Sequence, residues 1–446
     1  MTSSDPARAL AAHVAGSTFA ALPEATVHAT KRDILDTYGA LLGGSGEPGI
    51  AELRRLAARW GGAREAPVLV HGDWLPAPAA AQINGAQAHA LDFDDVLDHG
   101  GSIHPGASVL ASSLAAAALR GDATGRDLVL AVAVGLDVTC RIALASTLDR
   151  GWHRTSTIGV FGAAAAAASL LRLPEDQVLH ALGIAYSHAA GNRQCIVDGA
   201  LTKRLQAGLA ASGGLFSALL AREGFTGAHD IFVGRFGFFE LYQPNGSDSA
   251  RLTDALGQAW RGDELSFKPY PCGRPLHAPI DAALALREQL AGAPIAALRI
   301  ASDAVTHRDA FESGPAKRSP TQIVEAQFAL PFLVAAALVH GKVGIGEVAD
   351  FRNEAVTGLA LRIEGAVDPD RTARGAAITA TTPDGRTFTV NTSDPSGSPR
   401  KPLSDAQLAA KFRDCAAHAA KPVAADGLID AILSLDTQAE AAVLWR

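Results

Sequence analysis

Apolar residues recur at helical spacing along the first 265 positions. Val27, Ile34, Leu35, Tyr38, Leu41 and Leu42 share one face that stops at Gly43 and Gly44, and Ile50, Leu53, Leu56, Ala57 and Trp60 repeat the pattern up to Gly61 and Gly62. The same spacing predicts helices over 77–91, 106–119, 126–147, 157–171, 174–186, 202–223 and 226–233, with Pro174 in the first turn of its helix ahead of Glu175 and Asp176. Ala and Gly crowd these faces, which lets helix axes approach closely and predicts a dense bundle.

After Ser266 the period changes. Alternating, β-rich stretches run from Ala296 to Ala301, Gly358 to Ile363, Ala377 to Thr382 and Thr387 to Thr392, and Asp384 followed by Gly385 between the last two predicts a hairpin. Helices predicted at 275–291 and 320–340 alternate with these strands. Ser404 and Gln407 form a capping box that reopens helical texture. The expected fold is mainly α: a large all-helical domain from 1–265 and 402–446, a smaller α+β lid domain over 266–393, and a linker at 394–401.

Composition narrows the function classes. The 446 residues suit two or three domains, and 48% hydrophobic with 19% charged residues is a globular balance. A net charge of −7 without a basic block disfavours nucleic acid. The apolar run from Gly159 to Leu171 is short for a membrane span and ends at Arg172, and Met1 to Asp5 open without a basic, apolar leader, so no membrane and a cytoplasmic location are expected. Cys140, Cys195, Cys272 and Cys415 are scattered, which argues against a disulfide framework or a zinc knuckle. Glycine-rich nucleotide motifs are missing from the sequence.

Four polar clusters interrupt the apolar texture. The densest, "HALDFDDVLDHGGSIHP" at 89–105, carries four carboxylates and three imidazoles within 16 residues. Asp94, Asp95 and Asp98 fit a magnesium-holding pattern of helical prenyl-transfer enzymes, without a second acidic motif or an aromatic pocket to complete it. The competing reading is metal-free acid–base catalysis, with His104 as proton carrier at a helix start and an aspartate such as Asp92 fixing its tautomer. His153 and Arg154 in "GWHRTST" open another helix, where amides and a guanidinium make a carboxylate cradle. Lys203 and Arg204 in "TKRLQ" place cations at a helix N-terminus, an unfavourable position that an anionic ligand would justify. Finally, "FKPYPCGRPLH" at 267–277 is stiffened by three prolines and offers Lys268, Arg274 and His277, while Cys272 reads as a packed thiol.

With "HALDFDD" and its downstream "HP", "GWHRTSTIGVFGAAAAAA", "TKRLQAGLAASGGLFSALLAREGFTG", "KPYPCGRPLHAPIDAAL" and "SPTQIVEAQFALPFLVAAAL" in this order, the sequence resembles the MmgE/PrpD family along nearly its whole length. The resemblance implies a helical domain with an α+β lid, a homodimer, and a cleft for a small polycarboxylate substrate that needs neither metal nor organic cofactor. It places Asp92, His104, His153, Lys203, Lys268 and His277 in the site. Members include 2-methylcitrate dehydratase, cis-aconitate decarboxylase and iminodisuccinate epimerase. Val96, Gln206 and Phe332 stand where decarboxylases and dehydratases carry a hydroxyl, an imidazole and a phenol, so the expected activity is an epimerase similar to the last of these. His104, Lys203, His153 and Asp92 are then the catalytic candidates, and Lys268, Arg274, His277 and Arg154 the substrate-binding ones. The alternatives are a 2-methylcitrate dehydratase-like lyase, a magnesium-dependent prenyl-type enzyme and a non-catalytic carboxylate-binding protein.

Overall fold

Close helix contacts through Gly and Ala organise the large core. In the computed structural model, which describes residues 5–371 and 375–445, helix Ala77–Ala88 crosses helix Thr202–Arg222 where Gly85 faces Gly208. A Cβ on Gly208 would stand 2.2 Å from the Gln82 carbonyl oxygen, so no larger residue fits without parting the helices. That approach puts the end of one helix, just before His89, beside the start of the other, at Lys203. Helices Glu24–Gly44, Pro105–Arg120, Gly125–Ala145 and Gly159–Leu170 complete this core. The residues Met1–Ser4, on which part of the leader reading rests, lie outside the described residues.

Among the described residues Gly125–Ala145, rather than 159–171, is the helix long and apolar enough to cross a membrane, but 89% of its apolar window is buried inside the protein. Its Asp137 and Arg141 pair at 2.8 Å within the core. The C-terminal segment rejoins this core: the Ser404–Gln407 capping box forms, helix Asp405–Ala417 packs on Glu24–Gly44, and Leu408, Phe412 and Ile432 are buried there.

A second, smaller core gathers around a four-stranded sheet ordered Ile363–Val367, Ala297–Ser302, Ala376–Thr381, Thr387–Thr392. The first pair is parallel and the others antiparallel, with Thr381 opposite Thr387 at the foreseen hairpin. Helix His277–Leu290 covers one face, and Leu330–His340 packs on that helix and on Glu354–Ala360.

Several sequence expectations fail for identifiable reasons. Residues 226–233 are irregular, with a turn only at 231–233, and the Gly227 N–H donates to His180 Nδ1 at 3.3 Å instead of an intrahelical carbonyl. The stretch 320–340 splits into Ile323–Gln327 and Leu330–His340, since Pro331 must sit in a first turn and Ala329 before it is extended. The predicted strand 358–363 is the end of helix Glu354–Ala360, nucleated by the Asn353 side chain accepting from the Ala355 and Val356 amides, and the strand follows at Ile363. The stretch 157–171 breaks at Ile158. Helix Pro6–Gly16 and the hairpin Ala66–Val68 with Asp73–Leu75 were not expected.

Candidate active site

Helix Ala77–Ala88 ends at the polar cluster, and the chain turns sharply at Asp92, whose φ of +52° is a left-handed conformation that aspartate tolerates better than most side chains. This turn drives the Asp92 carboxylate between two lysines distant in sequence. Lys203, in the first turn of its helix, bonds one oxygen; the Lys268 ammonium bonds the other at 2.9 Å and the Asp92 carbonyl at 2.9 Å. All three side chains are buried. Burial alone would raise the Asp92 pKa, but the two ammonium groups hold it well below the usual carboxylate range. Burial lowers the Lys203 pKa, and Asp92 opposes that shift. Two cations around one carboxylate leave positive charge for an incoming anion.

Beside this triad stand three imidazoles. His104, immediately before helix Pro105–Arg120, directs Nδ1 to the Asp95 carbonyl oxygen at 2.6 Å. A carbonyl only accepts, so Nδ1 carries the proton and Nε2 is left with a lone pair. His89 bonds Asp94 Oδ2 through Nδ1 at 2.7 Å, and its ring lies 5.0 Å from that of His104 and 5.5 Å from that of His153. His153 precedes the short helix Arg154–Thr157 and has a buried Nδ1 without a hydrogen bond among the described residues. All three are held well below the ordinary histidine pKa. Burial is the main cause in each, reinforced by Lys203 at His89, by Lys268 at His104, and by His89 and Lys203 at His153. The structure therefore sets neutral imidazoles against charged ammonium groups, a base and an electrostatic sink in one enclosure.

The expected partnership of Asp92 with His104 is corrected: the Asp95 carbonyl fixes the tautomer, and Asp92 serves the lysines. Arg274, expected to clamp substrate, makes a two-pronged bond to Asp98 at 3.0 Å on each arm and donates to the Ser396 carbonyl at 2.9 Å. His277 is fully buried between Arg274 and the Cys272 carbonyl. Arg154 donates to the Leu148 carbonyl at 2.6 Å and packs over Gly101 in the loop before His104. These three brace the walls. Burial raises the Cys272 thiol far above its ordinary range, consistent with a packed residue.

Asp94, Asp95 and Asp98 do not converge as a magnesium motif: they serve His89, the Gly106 amide and Arg274 respectively. His89, Asp94 and His104 bring ligand-type atoms within 4.8 Å of one another, yet the His89 and His104 Nδ1 atoms are already engaged as donors. His89 is bonded to Asp94, while His104 Nδ1 stands 3.8 Å from Asp94 Oδ1, beyond hydrogen-bonding distance.

Residues 8–260 match the MmgE/PrpD N-terminal domain and residues 270–437 the MmgE/PrpD C-terminal domain. The chain belongs to the MmgE/PrpD family. It is 28% identical to human cis-aconitate decarboxylase over 455 residues, covering 95% of this chain and 90% of that one. A cis-aconitate decarboxylase-like protein of Aspergillus oryzae is 34% identical over 221 residues, 46% of this chain and 45% of that one. The cis-aconitate decarboxylase of Aspergillus terreus is 30% identical over 229 residues, 48% of this chain and 46% of that one. The chain thus aligns with less than half the length of these two fungal relatives.

In this MmgE/PrpD protein the C-terminal family match runs across helix Asp405–Ala417, which packs in the large core, so the family boundary and the packing boundary differ. The departures noted in the sequence are scattered. Val96 pairs through its backbone with Ser266, and Phe332 is wholly buried in the smaller core. Gln206 accepts from the Asn192 amide at 2.8 Å and donates to the Asn192 carbonyl at 3.0 Å, which fixes the loop behind His153. Sequence reasoning assigned His89 no role of its own and offered Asp94 and Asp95 only as magnesium holders, although their spacing in "HALDFDD" was the available signal for the site.

Proposed function

We propose that the chain is a lyase acting on a small di- or polycarboxylate through proton transfer at a carbon beside a carboxylate. The observation that carries this reading is the buried Lys203–Asp92–Lys268 triad facing the neutral His104, His89 and His153. An incoming carboxylate competes with Asp92 for the two ammonium groups, which then stabilise negative charge developing on the substrate. His104 Nε2 takes or returns the proton, and its Nδ1–H stays anchored on the Asp95 carbonyl.

The names of the relatives favour the lyase alternative over the epimerase expected from the sequence, and the ring spacing agrees. An epimerase needs acid–base groups on opposite faces of one carbon, whereas His104 and His153 both pack against His89, with ring centroids 5.0 and 5.5 Å away, and Lys203 is engaged with Asp92. The test is proton NMR in deuterated buffer with chelator, using cis-aconitate, citrate-like acids and iminodisuccinate stereoisomers. Decarboxylation or appearance of an alkene supports the proposal. Stereoisomer interconversion without either outcome returns the assignment to epimerase, and activity abolished by the chelator refutes catalysis by side chains alone.

We also propose that the protein pairs with a second copy. Leu209 and Phe216, about half exposed and seven residues apart on helix Thr202–Arg222, border a cavity of about 540 Å3 and give an apolar surface for such a contact. Light scattering of the wild type and of Phe216→Glu tests it; a monomeric wild type refutes it.

A further inference from the structure

The chemistry above leaves a group of buried acids unused. Asp33, Asp36 and Thr37 lie on helix Glu24–Gly44 and face the loop that carries Asp94 and Asp95. Asp36 has a partner, the Lys411 ammonium at 2.6 Å, which also bonds the Phe93 carbonyl at 2.5 Å. Asp33 is different: both its oxygens are buried and neither accepts from an N–H or hydroxyl among the described residues. The carboxyl of Asp95 lies within hydrogen-bonding reach of it. Two carboxyl groups bond to each other only when one of them is protonated.

Asp95 is the residue under His104. Its carboxylate oxygens receive the Gly106 amide at 3.0 and 3.1 Å, and its carbonyl receives His104 Nδ1–H. The joint is tight: a Cβ on Gly106 would stand 2.3 Å from Thr37 Oγ1 and 2.8 Å from Asp95 Oδ1. Asp95 is therefore held from two sides, by the helix that starts at Pro105 and by Asp33.

We propose that Asp33 and Asp95 share one proton across this joint, and that Asp33 is thereby a positioning residue that keeps the Asp95 carbonyl under His104 and its Nε2 directed to substrate. The inference deepens the proposed function, because it takes His104 as the proton carrier. The surrounding charges favour retention of the proton. Asp36 faces the pair from the same helix and Asp94 from the loop, and Lys411, from helix Asp405–Ala417, is bonded to Asp36; Lys268 acts on Asp36, and Cys140 adjoins from helix Gly125–Ala145. Burial first, and then Asp36, pushes Asp33 up to about 8; burial and Asp33 hold Asp95 well above the usual carboxylate range. The folded state thus binds a proton that the unfolded chain releases near pH 4. The stability this supplies is complete in acid and is lost as pH rises toward about 8.

Asp33→Asn and Asp33→Leu separate the roles, because the Asn amide donates to Asp95 at every pH and Leu cannot. Leu is expected to lower kcat about tenfold to a hundredfold with KM little changed, and to weaken the His104 Nδ1–H resonance, assigned by its absence in His104→Gln. Asn is expected to restore both, to move the alkaline limb of kcat to higher pH, and to gain thermal stability over wild type progressively between pH 5 and 9. Coincident alkaline limbs and parallel Tm–pH curves for wild type and Asp33→Asn would overturn the shared proton. A Leu variant with unchanged kcat and an intact Nδ1–H resonance would overturn the positioning role. Should Leu fail to fold, the Asn comparison decides alone; should no tested acid turn over, the lyase reading falls while the resonance and the Tm–pH curves still judge the proton.

Discussion

Replacing Asp92 by Asn probes the centre of the site. Asn tolerates the left-handed backbone at this position and keeps an acceptor oxygen, so the change removes charge without adding backbone strain. Lys268 keeps its bond to the residue 92 carbonyl, but both buried ammonium groups lose their counter-charge. Breaking a buried ion pair from one side costs roughly 3–5 kcal/mol, and the retained acceptor argues for about 3. For a chain of this length the unfolding entropy is roughly 0.9 kcal/mol/K, so Tm should fall by about 3 °C. The deficit has a pH signature. The Lys203 pKa is lowered in the folded state and falls further without Asp92, so above that pKa the unfolded chain binds more protons and stability recovers as pH rises toward about 10.4. Thermal shift across pH with and without malonate reads both effects, and malonate should stabilise the variant more than wild type because it meets unpartnered ammonium groups. An unchanged Tm together with equal malonate responses would refute the claim that Asp92 neutralises the two lysines.

Three further outcomes follow from the geometry. His104→Gln should lower kcat by about 10^2 to 10^4 with little effect on KM, measured by steady-state kinetics; a loss confined to KM would make His104 a binding group. Because burial holds the His104 pKa well below its ordinary value, the imidazole stays a neutral base as pH falls past 6.5, and the acid limb of kcat/KM should lie below that point. Arg274→Met removes the guanidinium from the buried Asp98 carboxylate and should cost roughly 3–5 kcal/mol in denaturant titration. A normal stability with raised KM would instead restore Arg274 as a substrate clamp.

The sequence disclosed what is local. Most helices marked by 3.6-residue spacing, the Asp384–Gly385 hairpin and the Ser404 capping box lie where their own residues put them. The candidate site was legible as clusters, because "HALDFDD" and "TKRLQ" are too polar for the bundle around them. Their pairing was not legible. Asp92 meets lysines 111 and 176 positions away, and whether Arg274 meets substrate or Asp98 depends on how the smaller core docks on the loop. The misplaced elements share this cause. The Gly227 amide is claimed by His180, and Asn353 starts a helix across an alternating stretch that otherwise reads as strand.

What assigns the roles in this site is the distribution of four aspartates within seven residues. Burial depresses the pKa of His89, His104, His153 and Lys203, so on its own it would strip protons from both kinds of base. The turn at Asp92 gives its carboxylate to the lysines, and the ammonium groups keep a counter-charge. Asp94 is spent on His89, Asp95 offers His104 a carbonyl while its carboxylate turns to the helix amide, and Asp98 closes on Arg274. His104 consequently has no ionised carboxylate in hydrogen-bonding contact and remains a neutral base next to cations. Inserting one residue between Asp92 and Asp95 would disturb all four assignments together. It should therefore abolish turnover more completely than any single aspartate substitution, whereas comparable losses from the insertion and from Asp94→Asn alone would show that one pair, rather than the arrangement, controls the chemistry.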